Sequence, residues 1–464
     1  MRSTLFLAAL AGGLPTSAMA AETGANFHLT GHPVGWLALA LFVLAYVAVV
    51  LEERIRIAKS KPVMLAAALI WGLIAWQTRD AGGGSTAARD AFQGMFLEYA
   101  EIFFFLVVAM TYVTALGERN VFEALRAQLT RRRLGYRALF WITGTIAFFL
   151  SPVLDNLTTA LVMSAVVLAV GGGQARFATL SLINLVVAAN AGGAWSAFGD
   201  ITTLMVWQAH KAEFFDFFRL FLPALVNWLV PAVAMHFALP KGLPDSVPGS
   251  VHVKPGGIGI CLTFALTIAI TVLGKQWLGM PAAYGMLTGL ALLNLLASRI
   301  DRSQRRYALA QGAEEEPYSI FRIIANAEWD TLLFFYGVFG CVGGLAALGY
   351  LELASHTLYG ALGATTANTA MGVLSAVIDN IPIMYAVLQM NPPMDEAQWL
   401  LITLTAGVGG SLLSVGSAAG VALMGASGGR YTFMRHLRWT WAIALGYVAS
   451  IALHLALNGA RPPL

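Results

Sequence analysis

Apolar blocks of about 15–23 residues, separated by short polar stretches, recur along this chain from about residue 36 to its end. A helix of about 20 such residues crosses the roughly 30 Å hydrocarbon core of a bilayer. Of the 464 residues, 58% are hydrophobic and only 11% charged, with a mean hydropathy of +0.71. A soluble chain is typically about 25% charged. The fold class that follows is an all-α polytopic membrane protein. The pI near 9.1 does not point to nucleic acid, because Lys and Arg fall in the loops between apolar blocks and read as topology signals. Cys261 and Cys341 both lie in apolar blocks, which leaves no disulfide framework and no cysteine metal site.

Two stretches break the apolar pattern in the same way. Ser151-Pro152-Val153-Leu154-Asp155-Asn156-Leu157-Thr158-Thr159 sits between short apolar runs, 138–150 and 160–170, with a proline that should break the helix. Ser375-Ala376-Val377-Ile378-Asp379-Asn380-Ile381-Pro382-Ile383 repeats its Ser-x-x-x-Asp-Asn core in the second half. An Asp at the bilayer centre costs roughly 2.5–3.5 kcal/mol to insert, and such residues mark substrate or ion paths. Each stretch is therefore expected to be the tip of a re-entrant hairpin. A second kind of interruption follows each hairpin. Gly192, Gly193 and Gly199 break the helix 177–208, and Gly409, Gly410 and Gly416 break 400–424, with Gly-Gly-x5-Gly spacing in both.

The remaining spans are expected at 36–51, 62–76, 95–116, 217–239, 256–273, 281–297, 330–350 and 439–457, with a polar loop at 78–89. With the two broken helices they make about ten. Residues 1–20, with Arg2, an apolar run and small residues at Ala18 and Ala20, fit a signal peptide cleaved after Ala20. Loops 52–62, 118–137, 171–177, 240–255, 299–327 and 427–438 together hold 21 Lys and Arg, and the opposite-side segments hold six. That bias puts the first group in the cytoplasm. It also makes the hairpins enter from opposite sides, so the two halves form inverted repeats. The first occupies about 35–239 and the second starts at about 256, so that 35–298 holds the first repeat and the start of the second. A charged cytoplasmic linker covers 299–327, and 328–464 completes the second repeat.

Such a build belongs to secondary transporters, whose ion sites lie where discontinuous helices meet at the midplane. Asp155, Asp200 and Asp379 supply carboxylates there. Asn156, Thr158, Ser196, Thr202, Thr203, Asn380, Ser414 and Ser417 add neutral oxygens, a donor set suited to a hard cation. Each Asp could instead simply cap a half-helix, but a neutral Ser or Asn would cap at far lower insertion cost. Glu98, Glu101 and Asp330 lie nearer span ends, where each is either simply solvated or a candidate for proton coupling.

These motifs resemble the NhaD-type sodium/proton antiporters of the ion transporter superfamily. The resemblance rests on 150–159, on Asn190-Ala191-Gly192-Gly193-Ala194-Trp195-Ser196-Ala197-Phe198-Gly199-Asp200-Ile201-Thr202-Thr203, on Ser375–Pro382 and, more weakly, on Glu328–Phe335, and it runs from about Met95 to Gly425. It implies exchange of Na+, with Li+ as a second cation, for H+ across a bacterial cytoplasmic membrane. It further implies functional roles for Asp155, Asn156, Asn190, Asp200, Thr202, Thr203, Ser375, Asp379, Asn380, Ser414 and Ser417, with Na+ at Asp155, Asn156, Asp379 and Asn380 and with Glu101 and Asp330 in proton coupling. The implied partners are lipid, Na+ or Li+ and protons, without cofactor or nucleic acid, and a homodimer is an open assembly. The chain departs from some relatives in having no histidine between His32 and His210, which leaves the start of the third span without a histidine pH sensor. Two other readings are weaker. An anion transporter of the same superfamily, for arsenite or a carboxylate, would be expected to present helix N-termini, hydroxyls or arginine to the anion; neither hairpin tip has an arginine, and the two Asp residues there would repel an anion. Phe198-Gly199-Asp200 is similar to the Gly-x-Gly-Asp of intramembrane aspartyl proteases, but position 197 is Ala and no Tyr-Asp partner exists.

Overall fold

The computed structural model describes residues 26–79, 84–131, 134–171, 173–243, 251–311 and 318–459; the expected signal peptide lies outside them. All regular structure among the described residues is helical, and ten helices are long and apolar enough to cross a bilayer. The total matches the sequence expectation, but the membership differs. The first hairpin arm, Tyr136–Leu154, is among the ten, whereas the second broken helix contributes none, because its pieces, Glu396–Gly409 and Ala418–Ala426, are each too short.

Several boundaries move outward for one reason: once started, a helix keeps its own backbone hydrogen-bonded and continues past the apolar residues that nucleate it. The third span runs over Gly84–Glu118, taking in part of the expected 78–89 loop. The helix Ala282–Gln311 carries on into the expected linker. In the first hairpin, Pro152 lies inside the last turn of Tyr136–Leu154 and does not end it. A proline there forfeits only the bond from its own nitrogen to the carbonyl four residues earlier, that of Phe148. The helix Trp329–Leu348 stops at Gly349, whose φ of +95° suits glycine, and turns at once into Tyr350–Leu362, an element outside the expected spans. With Glu352 and His356 on thirteen residues, that helix is too short and polar to register as a span.

Burial separates a centre from a rim. In Ala175–Gly193 83% of the apolar window is buried, and in Trp329–Leu348 78%, against 22% in Pro33–Val50. Trp399 to Gly409 of the second broken helix are likewise all buried. The rim helices turn Trp36, Leu44, Leu65, Trp76, Leu262 and Leu295 outward, as lipid-facing surfaces require. The broken helices and Trp329–Leu348 therefore form the core, and each broken helix lies against its hairpin: Ala175–Gly193 packs on Tyr136–Leu154 and Asn156–Gly171, and Glu396–Gly409 packs on Ala364–Leu374.

Candidate functional site

The first hairpin turns at Asp155, with φ 65° and ψ 164°, a conformation strained for any residue but glycine. Such strain costs of order 1–3 kcal/mol and concentrates at functional sites. It places the Asp155 carboxylate over the start of Asn156–Gly171. Its Oδ1 accepts from the Thr158 backbone N–H at 2.8 Å, and its Oδ2 accepts from the Thr158 hydroxyl at 2.9 Å. Asp200 stands at the N-cap of Ile201–Gln208, where the Thr203 hydroxyl accepts from its N–H at 3.2 Å. Asp379 caps Asn380–Met390, accepting from Ile381 N–H at 3.4 Å, and Ser417 caps Ala418–Ala426, accepting from Gly420 N–H at 3.2 Å. The capping role is thus real, and it coexists with the siting of one buried carboxylate, Asp200, and two half-buried ones, Asp155 and Asp379.

The two hairpin-and-broken-helix units are assembled by matching contacts. The Ser151 hydroxyl donates to the Ala189 carbonyl at 2.6 Å, and the Ser375 hydroxyl donates to the Ala406 carbonyl at 2.9 Å. Each acceptor lies three residues before the first glycine of its Gly-Gly pair. Gly192 rests on the Phe148 carbonyl that Pro152 leaves without a helical donor, and Gly409 rests on the Gly372 carbonyl. A Cβ on Gly193 would stand 2.7 Å from the Gly199 carbonyl oxygen, and one on Gly410 2.6 Å from that of Gly416. Neither distance is tenable, so glycine is needed at both. Gly192, Gly193 and Gly409 close the last turns of their helices rather than interrupting them; the non-helical segments are 194–200 and 410–417, which contain Gly199, Gly410 and Gly416.

A cavity of about 70 Å³ lies where these parts meet, enough for a few waters or a partly hydrated ion. Its polar lining includes Asp155, Asn156, Asp200, Asn380 and Thr331, and its walls include Phe105, Phe198 and Phe335; no Lys, Arg or His lines it. Asn380 Nδ2 donates to Asp200 Oδ2 at 2.7 Å, joining the second hairpin to the first broken helix. Asn156 Nδ2 donates to Asn190 Oδ1 at 3.1 Å, and Asn190 Nδ2 donates to the Ser411 hydroxyl at 2.8 Å, joining the first hairpin to both broken helices. Asn156, Ile201, Asn380 and Ala418, which line this cavity, are the first residues of four half-helices.

Other expected site residues lie around this cavity without lining it. Thr202 and Thr203 are fully buried behind Asp200. Ser375 is committed to holding its hairpin on the broken helix. Ser414 is fully buried and faces the Met424 sulfur at 3.4 Å. Asp379 adjoins the cavity through Asn380, but its carboxylate is not part of the lining. Asp330 accepts from the Ser60 hydroxyl, and Glu98 accepts from the Tyr385 hydroxyl at 3.2 Å and from Gln389 Nε2 at 3.0 Å. Glu101 is half-buried on the third span.

Three residues join this framework that the sequence reading passed over. Ser411 occupies the place in the second repeat that Ala194 has in the first, so the motif match itself disguised it. His436 is fully buried in the short helix Phe433–Leu437. Its Nε2 is 2.9 Å from the Ser411 carbonyl, which can only accept, so Nε2 carries the proton and Nδ1 accepts from the Tyr431 hydroxyl at 2.8 Å. Its place among Arg430, Arg435 and Arg438 gave no hint of burial. Lys275, which counted in sequence as a loop charge, is buried in the last turn of Gly257–Leu278. Its Nζ donates to the Trp207 carbonyl at 2.5 Å and sits 4.4 Å from the Trp207 ring centroid, at the opposite end of the half-helix from Asp200.

Comparison with known proteins bears on this arrangement. A family model described as "Citrate transporter" matches residues 46–407. The chain is 50% identical over 459 residues to the Na(+)/H(+) antiporter NhaD of Vibrio cholerae, covering 96% of each chain. It is also 50% identical to the NhaD of Alkalimonas amylolytica, covering 99% of this chain and 98% of that one. Sodium/proton antiporter 1 of Arabidopsis thaliana is 32% identical over 90% of this chain and 72% of its own. With four half-helices converging on one cavity in a helical membrane fold, and with half its residues shared along nearly its full length, the chain belongs to the NhaD family of membrane antiporters, inside the wider family that the citrate-transporter model describes.

Proposed function

We propose that this protein exchanges Na+, and Li+ as a second cation, for H+ across a bacterial cytoplasmic membrane, with cation and proton competing for the carboxylates at the half-helix starts. The observation that carries this reading is the cavity lining, which offers Asp155, Asp200, Asn156 and Asn380 and no basic side chain. The relatives that are 50% identical are named Na(+)/H(+) antiporters, which supports the Na+ and H+ of this reading.

Charge arithmetic decides between cation and anion. A helix N-terminus carries roughly +0.5 of an elementary charge, so four of them present about +2 to the cavity. Left alone, that field would favour an anion, as the citrate-transporter description of the wider family would suggest. Here three of the four N-caps are Asp155, Asp200 and Asp379, which bring −3 when ionised, two of these charges in the cavity lining and that of Asp379 adjoining it through Asn380. The balance of about −1 suits one monovalent cation and repels a carboxylate substrate. Protonation of one carboxylate brings the balance to about zero and releases the cation. Cation entry reverses this, which is the coupling an antiporter needs.

Asp155 and Asp200 supply charged oxygens to the ion, and Asn156 and Asn380 supply neutral ones. Asn190 and Ser411 orient Asn156, and Thr158 orients Asp155. Asp379, with Glu101 and Asp330, takes part in proton coupling. Thr202, Thr203, Ser375, Ser414 and Ser417 hold the half-helix starts in place. The matched contacts of the two units support two repeats, about residues 35–239 and from about 256; the loop charges give them opposite orientation, and they move against each other to open the cavity to each side in turn.

The test is a proton gradient imposed on everted membrane vesicles containing the protein. Na+ and Li+ should each dissipate it at low concentration, and citrate should not. A gradient that saturating Na+ leaves intact would refute the proposal.

A further inference from the structure

Away from the cavity, the helix Ala175–Gly193 and the segment before the last span enclose an open pocket of about 370 Å³, lined by Arg176, Thr179, Arg435, Arg438 and Trp439. That volume falls in the range of small-molecule sites, roughly 300–1,000 Å³. The two stretches that build it carry no counter-charge: no Asp or Glu occurs between Asn156 and Asp200, nor after Glu396. Among the described residues none of the three arginines is in an ion pair. Arg435 is partly engaged, its Nη1 donating to the Gly429 and Arg430 carbonyls at 3.0 and 2.9 Å, whereas Arg176 and Arg438 extend from exposed positions. Gln174 leaves the start of Ala175–Gly193 without a side-chain cap, so its first N–H groups add to the positive field.

We propose that this pocket binds the phosphodiester headgroup of an anionic membrane phospholipid. Guanidinium forks match phosphate oxygens in pairs, which accounts for arginine in place of lysine at all three positions. A lipid is favoured over a free phosphate because exposed apolar side chains adjoin the lining residues: Trp441, 57% exposed, stacks on Trp439, and Met434, 64% exposed, and Leu437 precede Arg435 and Arg438 in the chain. Trp439 and Trp441 stack with centroids 6.2 Å apart at the start of the last span, where indoles mark the boundary between headgroups and acyl chains. The pocket thus offers charge to a headgroup and a greasy margin to its tails, as basic pockets between spans do for anionic lipids. The opposite side of the same short helix, Phe433–Leu437, carries His436 inward to the Ser411 carbonyl.

Native mass spectrometry of the purified full-length protein tests this, with phosphatidylglycerol and phosphatidylcholine of equal chain length, and inorganic phosphate, as probes. The unmodified protein should retain phosphatidylglycerol about tenfold more than phosphatidylcholine. The double variant Arg176→Gln, Arg438→Gln should bring the two lipids level, while Arg126→Gln, outside the pocket lining and ion-paired with Glu123, should change nothing. Arg435 is left intact because it ties down two loop carbonyls. Equal retention of the two lipids by the unmodified protein would overturn the proposal without recourse to any variant. So would a folded double variant that still prefers phosphatidylglycerol, or displacement of the lipid by inorganic phosphate at the same concentration.

Discussion

Asp200→Asn is the substitution that most directly tests the charge balance. The side chain keeps its size and can still accept from Asn380 through its amide oxygen, now replacing a charge-assisted bond of 2.7 Å. What it loses is one negative charge beside a cavity of about 70 Å³. The ledger of four half-helix starts against three carboxylates then moves from about −1 to about zero. A carboxylate about 4 Å from Na+ at an effective dielectric near 20 is worth up to about 4 kcal/mol, and loss of the charge assistance alone about 1.4 kcal/mol. Half-saturating Na+ should therefore rise between roughly tenfold and a thousandfold. The measurement is the Na+ dependence of proton-gradient collapse in everted vesicles matched for inserted protein. Asn380→Ala, which removes the donor and leaves the charge, should cause a smaller rise. If Asp200→Asn kept its half-saturation within about twofold of the unmodified protein, the charge argument would fail.

Asp155→Asn and Asp379→Asn should each abolish Na+/H+ exchange while inserting normally; near-normal exchange in either would remove that residue from the proposed machinery. Gly410→Leu forces a side chain onto the Gly416 carbonyl, which a Cβ alone would approach to 2.6 Å, so transport should be lost with membrane insertion retained, and unchanged transport would speak against the close packing of the break. In a background with Cys261 and Cys341 replaced, a cysteine introduced by Gly173→Cys should label only from the cytoplasm and one introduced by Pro393→Cys only from outside; labelling of both from one side would rule out the inversion. Lys275→Met removes the charged donor to the Trp207 carbonyl, which keeps a backbone bond from the His210 N–H at 3.2 Å, at a cost of about 1.5–3 kcal/mol for the lost charge-assisted bond, so thermal unfolding should begin at a lower temperature with the Na+ dependence of exchange little changed. An unaltered melting profile would show that this buried lysine does not hold the half-helix.

The sequence by itself determined the class of fold and the residue types at its centre. Apolar blocks of bilayer length admit few structures other than a helical bundle, and an Asp that interrupts one is too costly to be incidental. Asp155 and Asp379 were therefore legible as hairpin tips, and the Gly-Gly-x5-Gly spacing marked the second interrupted element of each unit. The helix ends were not legible. Hydropathy registers lipid-like side chains, whereas a helix ends where its backbone loses its donors, so Pro152 was carried within a last turn and Gly84–Glu118 outran its apolar stretch.

Only the tertiary structure decided which polar residues share a cavity. Asp379 and Asn380 are neighbours in sequence, yet only Asn380 lines the space with Asp155 and Asp200, because successive residues at a helix start point in different directions. Contacts over long separations are invisible to local pattern: Asn190 to Ser411 spans 221 positions, and Lys275 reaches the Trp207 carbonyl across 68. His436 and Lys275 read as loop charges from their neighbours, and packing alone put them inside. Local sequence sets what each helix can bury, and assembly of the helices selects which buried groups meet.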